Sequence, residues 1–395
     1  MNAQTSALVV VLSHVESDPR VRRQIDWLTG AGYTVDTLGL GPIPAEVVRD
    51  HFALGAVAPW VSSKLGTVLV YSLFPGRQKF KRLVQDRFPA EVSARVARGE
   101  YRLIVFNDYD FIPWVADESV FTPAARAAHL HLDLHEYRDE TLEITSAWTL
   151  LKSRYYKWVR SFIGHRAFTT RTTVASRLGE FYVDDFGIPE LGIVRNSPPF
   201  IDQEPSEVDP ADIRLVFHGM ASWARGLREI IDAMKLLDDR FSMTFMFTGS
   251  QKVISEVGEY ASGMERVRIV PPVPMTELSA VVNQYDLEIM FYSPDSRNLE
   301  FALPNKFFEA VQGRLGVIIG ESPMMAEIVD EYSNGVIVKG WTATDLAAAI
   351  SELTPERVAQ LKAGAHRAAR DLNAEAEGRV FLSIVDAPAD DRPAA

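Results

Sequence analysis

Short apolar runs alternate with amphipathic helical stretches along nearly the whole chain, and this alternation stops once and restarts. The first cycle opens with Ala7–Leu12, a loop through Ser13–Arg20, and a helix carrying Val21, Ile25 and Leu28. Runs at Tyr33–Leu38, Tyr101–Phe106, Leu130–Glu136 and around residues 167–170 follow. The second cycle opens at Ile213–Phe217 and continues through Met243–Phe247, Val267–Val270, Tyr285–Tyr292, Gly316–Gly320 and Gly335–Val338. Continuous apolar runs separated by helices suit parallel strands buried on both faces, so each cycle predicts a doubly wound α/β domain. The polar, Pro- and Asp-containing stretch 200–212 reads as the linker between them. The expected division is 1–205, then 206–372, a helix over 373–386 returning toward the first domain, and a disordered tail over 387–395 rich in Pro, Asp and Ala.

Bulk properties narrow the function classes. The chain has 395 residues, enough for two domains, and no cysteine, which excludes disulfides and thiolate metal sites. Its apolar N-terminal run lacks a basic flank and is too short for a signal segment or a membrane span, which predicts a cytoplasmic protein. The net charge of −12 disfavours nucleic acid as a partner. That charge is unevenly spread: residues 1–205 hold 23 basic against 24 acidic side chains, and the remainder 18 against 29. Two segments of the near-neutral part, 60–88 and 150–166, interleave Lys and Arg with aromatic residues on helical spacing. Such a surface fits peripheral contact with an anionic membrane at its inner face; an ordinary solvated helix face is the other reading.

Candidate site residues cluster where strands end. In Leu299–Ala310, Pro304 suits a helix start, and Lys306 and Glu309 share one face near it. Unpaired N–H groups there form a seat for a diphosphate, and Glu309 is placed to accept hydrogen bonds from a sugar diol. In the first domain, Asp18 lies in the first loop as a site residue or as the N-cap before Pro19. Asp108 and Asp110 form a D-x-D after a strand, read as loop carboxylates or acceptor contacts and not as a metal site. Asp133, His135 and Glu136 end another strand, and His135 is placed to bond a sugar hydroxyl.

Taken together, these segments resemble the retaining GT-B glycosyltransferases, most closely family 4 of bacterial enzymes that build polysaccharides and glycolipids. The similarity covers roughly residues 7–385. Asp18-Pro19-Arg20-Val21 resembles the D-x-R-V of the first loop, and Asp133-Leu134-His135-Glu136 the D-x-H-E beside the donor sugar. Arg195-Asn196 with Pro198 resembles the N-x-P that closes the first domain. Gly219 through Arg225-Gly226-Leu227 resembles the phosphate-binding loop, and Pro304 through Glu309 the P-x-K-x-x-E of the donor site. Two positions depart from the pattern. Met220 stands where the family has Arg, and the first Glu of the common E-x(7)-E falls on Phe301, since 309 − 8 = 301.

The resemblance implies a GT-B fold of two Rossmann-like doubly wound domains facing a central cleft, acceptor in the first and nucleotide-sugar in the second. It implies catalytic roles for His135, Arg225, Lys306 and Glu309, with Glu309 on the ribose and Arg225 on the diphosphate. Gly219, Gly249, Val273, Phe301, Ala302 and Leu303 are the implied donor contacts, with Val273 facing the base. Asp18, Glu136 and Asp108 are the implied acceptor-side residues. The implied reaction moves a sugar from a nucleotide-diphosphate donor to a glycan or lipid-linked acceptor with retention, without metal or other cofactor. The alternatives are a non-catalytic GT-B-like subunit of a glycan-assembly complex, favoured by Met220 and Phe301, and a nucleotide-sugar epimerase.

Overall fold

A computed structural model describes residues 5–43, 47–135, 137, 146–294 and 297–386. It divides into two compact units, Met1–Arg195 with Gly378–Ala395, and Asn196–Glu377.

In the first unit a seven-stranded parallel sheet has the order β3-β2-β1-β4-β5-β6-β7. The strands are β1 (Ser6–His14), β2 (Thr34–Leu40), β3 (Val48–Ala53), β4 (Leu103–Asn107), β5 (His129–Leu134), β6 (Thr170–Thr173) and β7 (Gly192–Ile193). The second unit holds a six-stranded parallel sheet, β10-β9-β8-β11-β12-β13. Its strands are β8 (Ile213–Met220), β9 (Phe241–Thr248), β10 (Val267–Val270), β11 (Leu287–Met290), β12 (Gly316–Ile319) and β13 (Gly335–Ile337). Each unit is therefore Rossmann-like and doubly wound, as the alternation predicts. The strand order reverses between β1 and β4, and between β8 and β11, and ligands of such sheets gather beyond the carboxyl ends at that point.

Two strands escape the sequence reading. β3 is an edge strand, and its Val-Arg-Asp-His-Phe-Ala composition looks like a loop because one side need not be apolar. Its charge is absorbed locally: Arg49 and Arg95 both pair with the fully buried Asp36, which also accepts from the Tyr101 hydroxyl at 2.7 Å. β7 is only two residues long.

The helices used below are α1 (Pro19–Gly30), α2 (Lys64–Leu73), α3 (Gly76–Leu83), α4 (Ala147–Arg160), α5 (Leu227–Met234), α6 (Asn305–Gln312) and α7 (Ala374–Val385). Among the described residues no helix is long and apolar enough to cross a membrane. The expected tail, 387–395, lies outside the described residues.

The units part between Arg195 and Asn196, ahead of the expected 205/206. Residues 200–205 are strapped to the second unit instead. The Ile201 amide donates to Gln312 at 3.1 Å, Gln203 donates to the Gln312 carbonyl at 2.7 Å, and the buried Arg314 guanidinium reaches the carbonyls of Ile201 and Gln203. At the other end, Phe381 and Val385 of α7 enter the first unit's core beside Val9, Val21, Ile25 and Leu28, with Phe381 5.5 Å from the Trp27 ring. Phe381→Ala removes a fully buried ring and is expected to destabilise the first unit by about 3–5 kcal/mol. Urea unfolding measures this, and a loss below about 1 kcal/mol would show that α7 is dispensable to that core.

Candidate functional site

Second-unit site residues gather at the end of β8 and the start of α6. Gly219, the penultimate residue of β8, has a φ of +112°, a conformation that L side chains rarely adopt. A Cβ placed there would lie 3.6 Å from Lys306 Cε and 3.9 Å from an Arg225 Nη, so this glycine lets the backbone pass close beside two cations. Gly226 opens α5 at a φ of +70°, where a Cβ would lie 2.0 Å from the Phe291 carbonyl oxygen. It fixes the loop that carries Arg225. That guanidinium is half-buried and makes no hydrogen bond or ion pair among the described residues, and it sits 5.9 Å from the Tyr292 ring.

Helix α6 begins after Pro304, and no side chain caps its N-terminus. Its first-turn N–H groups are thereby left for solvent or ligand. Lys306 is buried; its Nζ lies 3.3 Å from the centroid of the Phe217 ring and 3.4 Å from Glu288. Burial lowers its pKa to about 8, against the pull of Glu288. Glu309, one turn along, accepts a hydrogen bond from His218 Nε2 at 2.9 Å, and His218 Nδ1 donates to Glu288 at 2.9 Å. Carboxylates on both ring nitrogens require both to carry protons. Burial works against the imidazolium, yet Glu288 and Glu309 carry its pKa up to about 9.

His218 and Glu288 have no place in the sequence reading. The available signal is a pair of acids, Asp286 and Glu288, inside the apolar run Tyr285–Tyr292, which a buried strand tolerates only when each is paired. Of the remaining predicted donor residues, Phe301, Ala302 and Leu303 immediately precede α6, and the Ala302 carbonyl accepts from Ser322 at 3.2 Å. Gly249 follows β9, where a Cβ would lie 3.3 Å from Met220 Cγ. Met220 itself is 53% exposed and brings no charge. Val273 is half-exposed in the loop after β10.

In the first unit the predicted residues converge on Asp133 at the end of β5. Its fully buried carboxylate is gripped by Arg20, whose Nε and Nη2 each lie at 2.6 Å, and accepts from Gln24 and from Thr172 at 2.7 Å. Burial opposes its charge, but Arg20 and His135 hold its pKa well below the usual carboxylate range. Arg20 also donates to the Val194 carbonyl at 2.8 Å. The D-x-R-V and D-x-H-E segments thus meet through their own Arg and Asp.

His135 Nε2 lies 3.1 Å from both Asp133 and the Asn107 side-chain oxygen, and its Nδ1 lies 3.5 Å from Asp108. Burial pushes the imidazole pKa down, but the charges of Asp108 and Asp133 raise it overall. Asp108 sits at a φ of +57° and accepts from the His135 amide at 3.0 Å. Asp18 serves as the N-cap of α1: it accepts from the Arg20 and Val21 amides at 3.1 and 3.2 Å and from the Ser13 hydroxyl at 2.7 Å. Glu136 lies outside the described residues. A hollow of about 570 Å³ lined by Arg126, His165, Arg166 and Thr169 opens at the opposite, amino-terminal edge of β5 and β6, away from all of these residues.

With this geometry in place, comparison with known proteins is informative. Residues 212–355 match the family described as Glycosyl transferases group 1. The chain has the GT-B fold, and the residues that match this family lie within its second unit. Sucrose-phosphate synthase from Thermosynechococcus elongatus is 15% identical with a TM-score of 0.68, over 97% of this chain and 100% of that one. WaaG, a glycosyltransferase involved in lipopolysaccharide biosynthesis, is 10% identical with a TM-score of 0.67, over 97% and 100%. Anabaena HepE, in complex with UDP and glucose, is 13% identical with a TM-score of 0.62, also over 97% and 100%. No curated protein matches the chain significantly.

His218 links Glu309 to Glu288. His218→Leu leaves Glu288 buried without its imidazolium and is expected to destabilise the second unit by about 3–5 kcal/mol, while His218→Leu with Glu288→Met recovers most of that loss. Chemical unfolding of both variants checks this; a double variant as unstable as the single one would show that His218 acts through packing alone.

Proposed function

We infer that this protein transfers a sugar from a nucleoside-diphosphate donor to a hydroxyl of a glycan or lipid-linked acceptor, with retention of configuration and no metal. The observation that carries this reading is the pairing of Arg225 and Lys306 beside the uncapped start of α6, with Glu309 one turn away. Two cations and a helix N-terminus offer stabilisation for the charge that builds on a departing diphosphate. Glu309, oriented by His218, is placed to accept hydrogen bonds from a ribose diol. In the reaction the bond from the anomeric carbon to the diphosphate oxygen breaks, and the acceptor oxygen bonds to that carbon. The acceptor proton passes to the leaving phosphate. His135, whose pKa the charges of Asp108 and Asp133 raise against the effect of burial, is placed to bond a sugar hydroxyl.

UDP is the first nucleotide to test, because HepE, of the same fold, is described in complex with UDP and glucose. Thermal unfolding with UDP, GDP, ADP and dTDP, each at about 100 times its dissociation constant, should single out one nucleotide that stabilises by roughly 2.7 kcal/mol. Glu309→Ala should abolish the response. Silence toward all four would favour the non-catalytic subunit, the reading that Met220 and Phe301 suggest.

The charge on Lys306 sets a pH signature. Its pKa near 8 leaves the ammonium intact at neutral pH and removes it above. Nucleotide affinity, measured by calorimetry, should be flat from about pH 6.5 to 7.5 and fall beyond about pH 8. Lys306→Met should bind weakly at every pH and show no such step; a wild-type affinity unchanged to pH 9 would remove Lys306 from the diphosphate site.

A further inference from the structure

Helix α2 is unusual in what it leaves uncovered. Gly66, Val70 and Tyr71 face the first unit's interior. Apart from Lys64, Thr67 and Ser72 the rest of its circumference is apolar, yet open: Leu65 and Leu73 are 70% and 72% exposed, with Val68 and Leu69 between them. Positions 65, 68, 69 and 73 fall on one helical face. Trp60, 50% exposed, precedes α2, and Trp148, 42% exposed, lies on α4, which packs against α2. The two helices are joined there, since Lys152 Nζ sits 5.7 Å from the Tyr71 ring and 4.9 Å from the Trp148 ring. Contiguous exposed apolar surface of this kind marks an interaction site.

The surrounding charge identifies the occupant. Residues 59–85 contain five basic side chains and no acidic one, and so do residues 147–166, in a chain whose net charge is −12. On α3, Arg82 packs its guanidinium 4.1 Å over the Phe74 ring, which anchors a cation at the rim of the apolar face. A second copy of the chain would set like charges against each other, which disfavours self-association here. A bilayer bearing anionic headgroups offers an apolar layer for the leucines, an interface for the tryptophans and negative charge for the rim.

We propose that the apolar face of α2, together with Trp60 and Trp148 and the basic side chains Arg77, Lys81 and Arg82 of α3 and those of α4, inserts into the interface of an anionic lipid bilayer. A ten-residue helix of about 15 Å lies in the plane of the interface and does not span it. The assignment differs from the aromatic-basic surface read from sequence. Tyr71, Phe80 and Tyr155 of those segments are buried in the fold, and the residues offered outward are leucines, a valine and two tryptophans. It rests on the lipid-linked branch of the proposed acceptor, and it supplies that branch with a place of contact.

The test uses the full chain and vesicles of phosphatidylcholine with or without about one-third phosphatidylglycerol, read by co-sedimentation. Wild type should bind the anionic vesicles, and Leu65→Ser/Leu69→Ser/Leu73→Ser, all at exposed positions, should bind about a hundredfold more weakly at any salt concentration. Arg77→Gln/Lys81→Gln/Arg82→Gln should lose binding at low salt in similar measure. Both variants should keep the wild-type thermal response to nucleotide, which separates this inference from the donor assignment. Failure of wild type to bind anionic vesicles at low salt would overturn it, as would undiminished binding by the leucine variant. A wild-type dimer made monomeric by the leucine substitutions, seen by light scattering, would assign the face to a second copy instead.

Discussion

Glu288 is a carboxylate placed inside a parallel strand with no access to water, and much of the second unit's chemistry follows from keeping it charged. A buried carboxylate persists only if cations and hydrogen bonds replace its hydration. His218 supplies the nearest pair and Lys306 the second, and the two cations reach it from different elements, the end of β8 and the first turn of α6. The demand of one buried charge therefore fixes the register between a strand end and a helix start. Glu309 inherits its orientation from this arrangement, because the imidazole nitrogen that Glu288 does not use points at it. One consequence is economical: Lys306 and Glu309 need no further partner to hold them in place before a ligand arrives.

The first unit solves a similar problem with the same parts. Asp133 is buried at the end of β5, Arg20 from the first turn of α1 neutralises it, and His135 takes the remaining side. In both units a buried acid near the switch point draws in an Arg or Lys from a helix and a His from a strand end. Preorganisation of this sort costs stability where a hydrophobic replacement would do better, so its presence argues for a site and not for the fold. The N-cap role of Asp18 belongs to the same construction. By capping α1 it sets the position of the turn from which Arg20 projects, and so acts on Asp133 at one remove.

Legibility in the sequence follows burial. Strands covered on both faces, such as Tyr101–Phe106 and Gly316–Gly320, announce themselves as apolar runs, and the two domains follow from their alternation. The edge strand β3 does not, because a strand open on one side tolerates Arg and Asp. Lys306 and Glu309 are visible through helical spacing and resemblance, whereas His218 and Glu288 sit inside apolar strands and their meeting is a product of sheet order, which brings β8 beside β11. The same limit applies to the basic segments. Spacing shows that aromatic and basic residues share helices, but which side faces in depends on neighbours far along the chain: Tyr155 of α4 packs its ring 5.6 Å from that of Tyr71 and so turns both inward.

Charge segregation along the chain gives these features a common direction. Residues 206–395 carry 18 basic against 29 acidic side chains, so the sequence that holds Arg225 and Lys306 is strongly acidic overall. A nucleoside diphosphate therefore meets unfavourable long-range charge and must be held by short-range contacts, which work best when desolvated. The buried position of Lys306 and the half-buried position of Arg225 meet that need. The same acidity is repelled by an anionic bilayer while the segments 59–85 and 147–166 are attracted to it. An anionic surface therefore acts on the chain with opposite signs in different places, and the net charge of −12 is no obstacle to docking through α2. What decides such docking is the local field within about a Debye length of the lipid, and the basic rim around the leucines is the part of the chain that this face brings there.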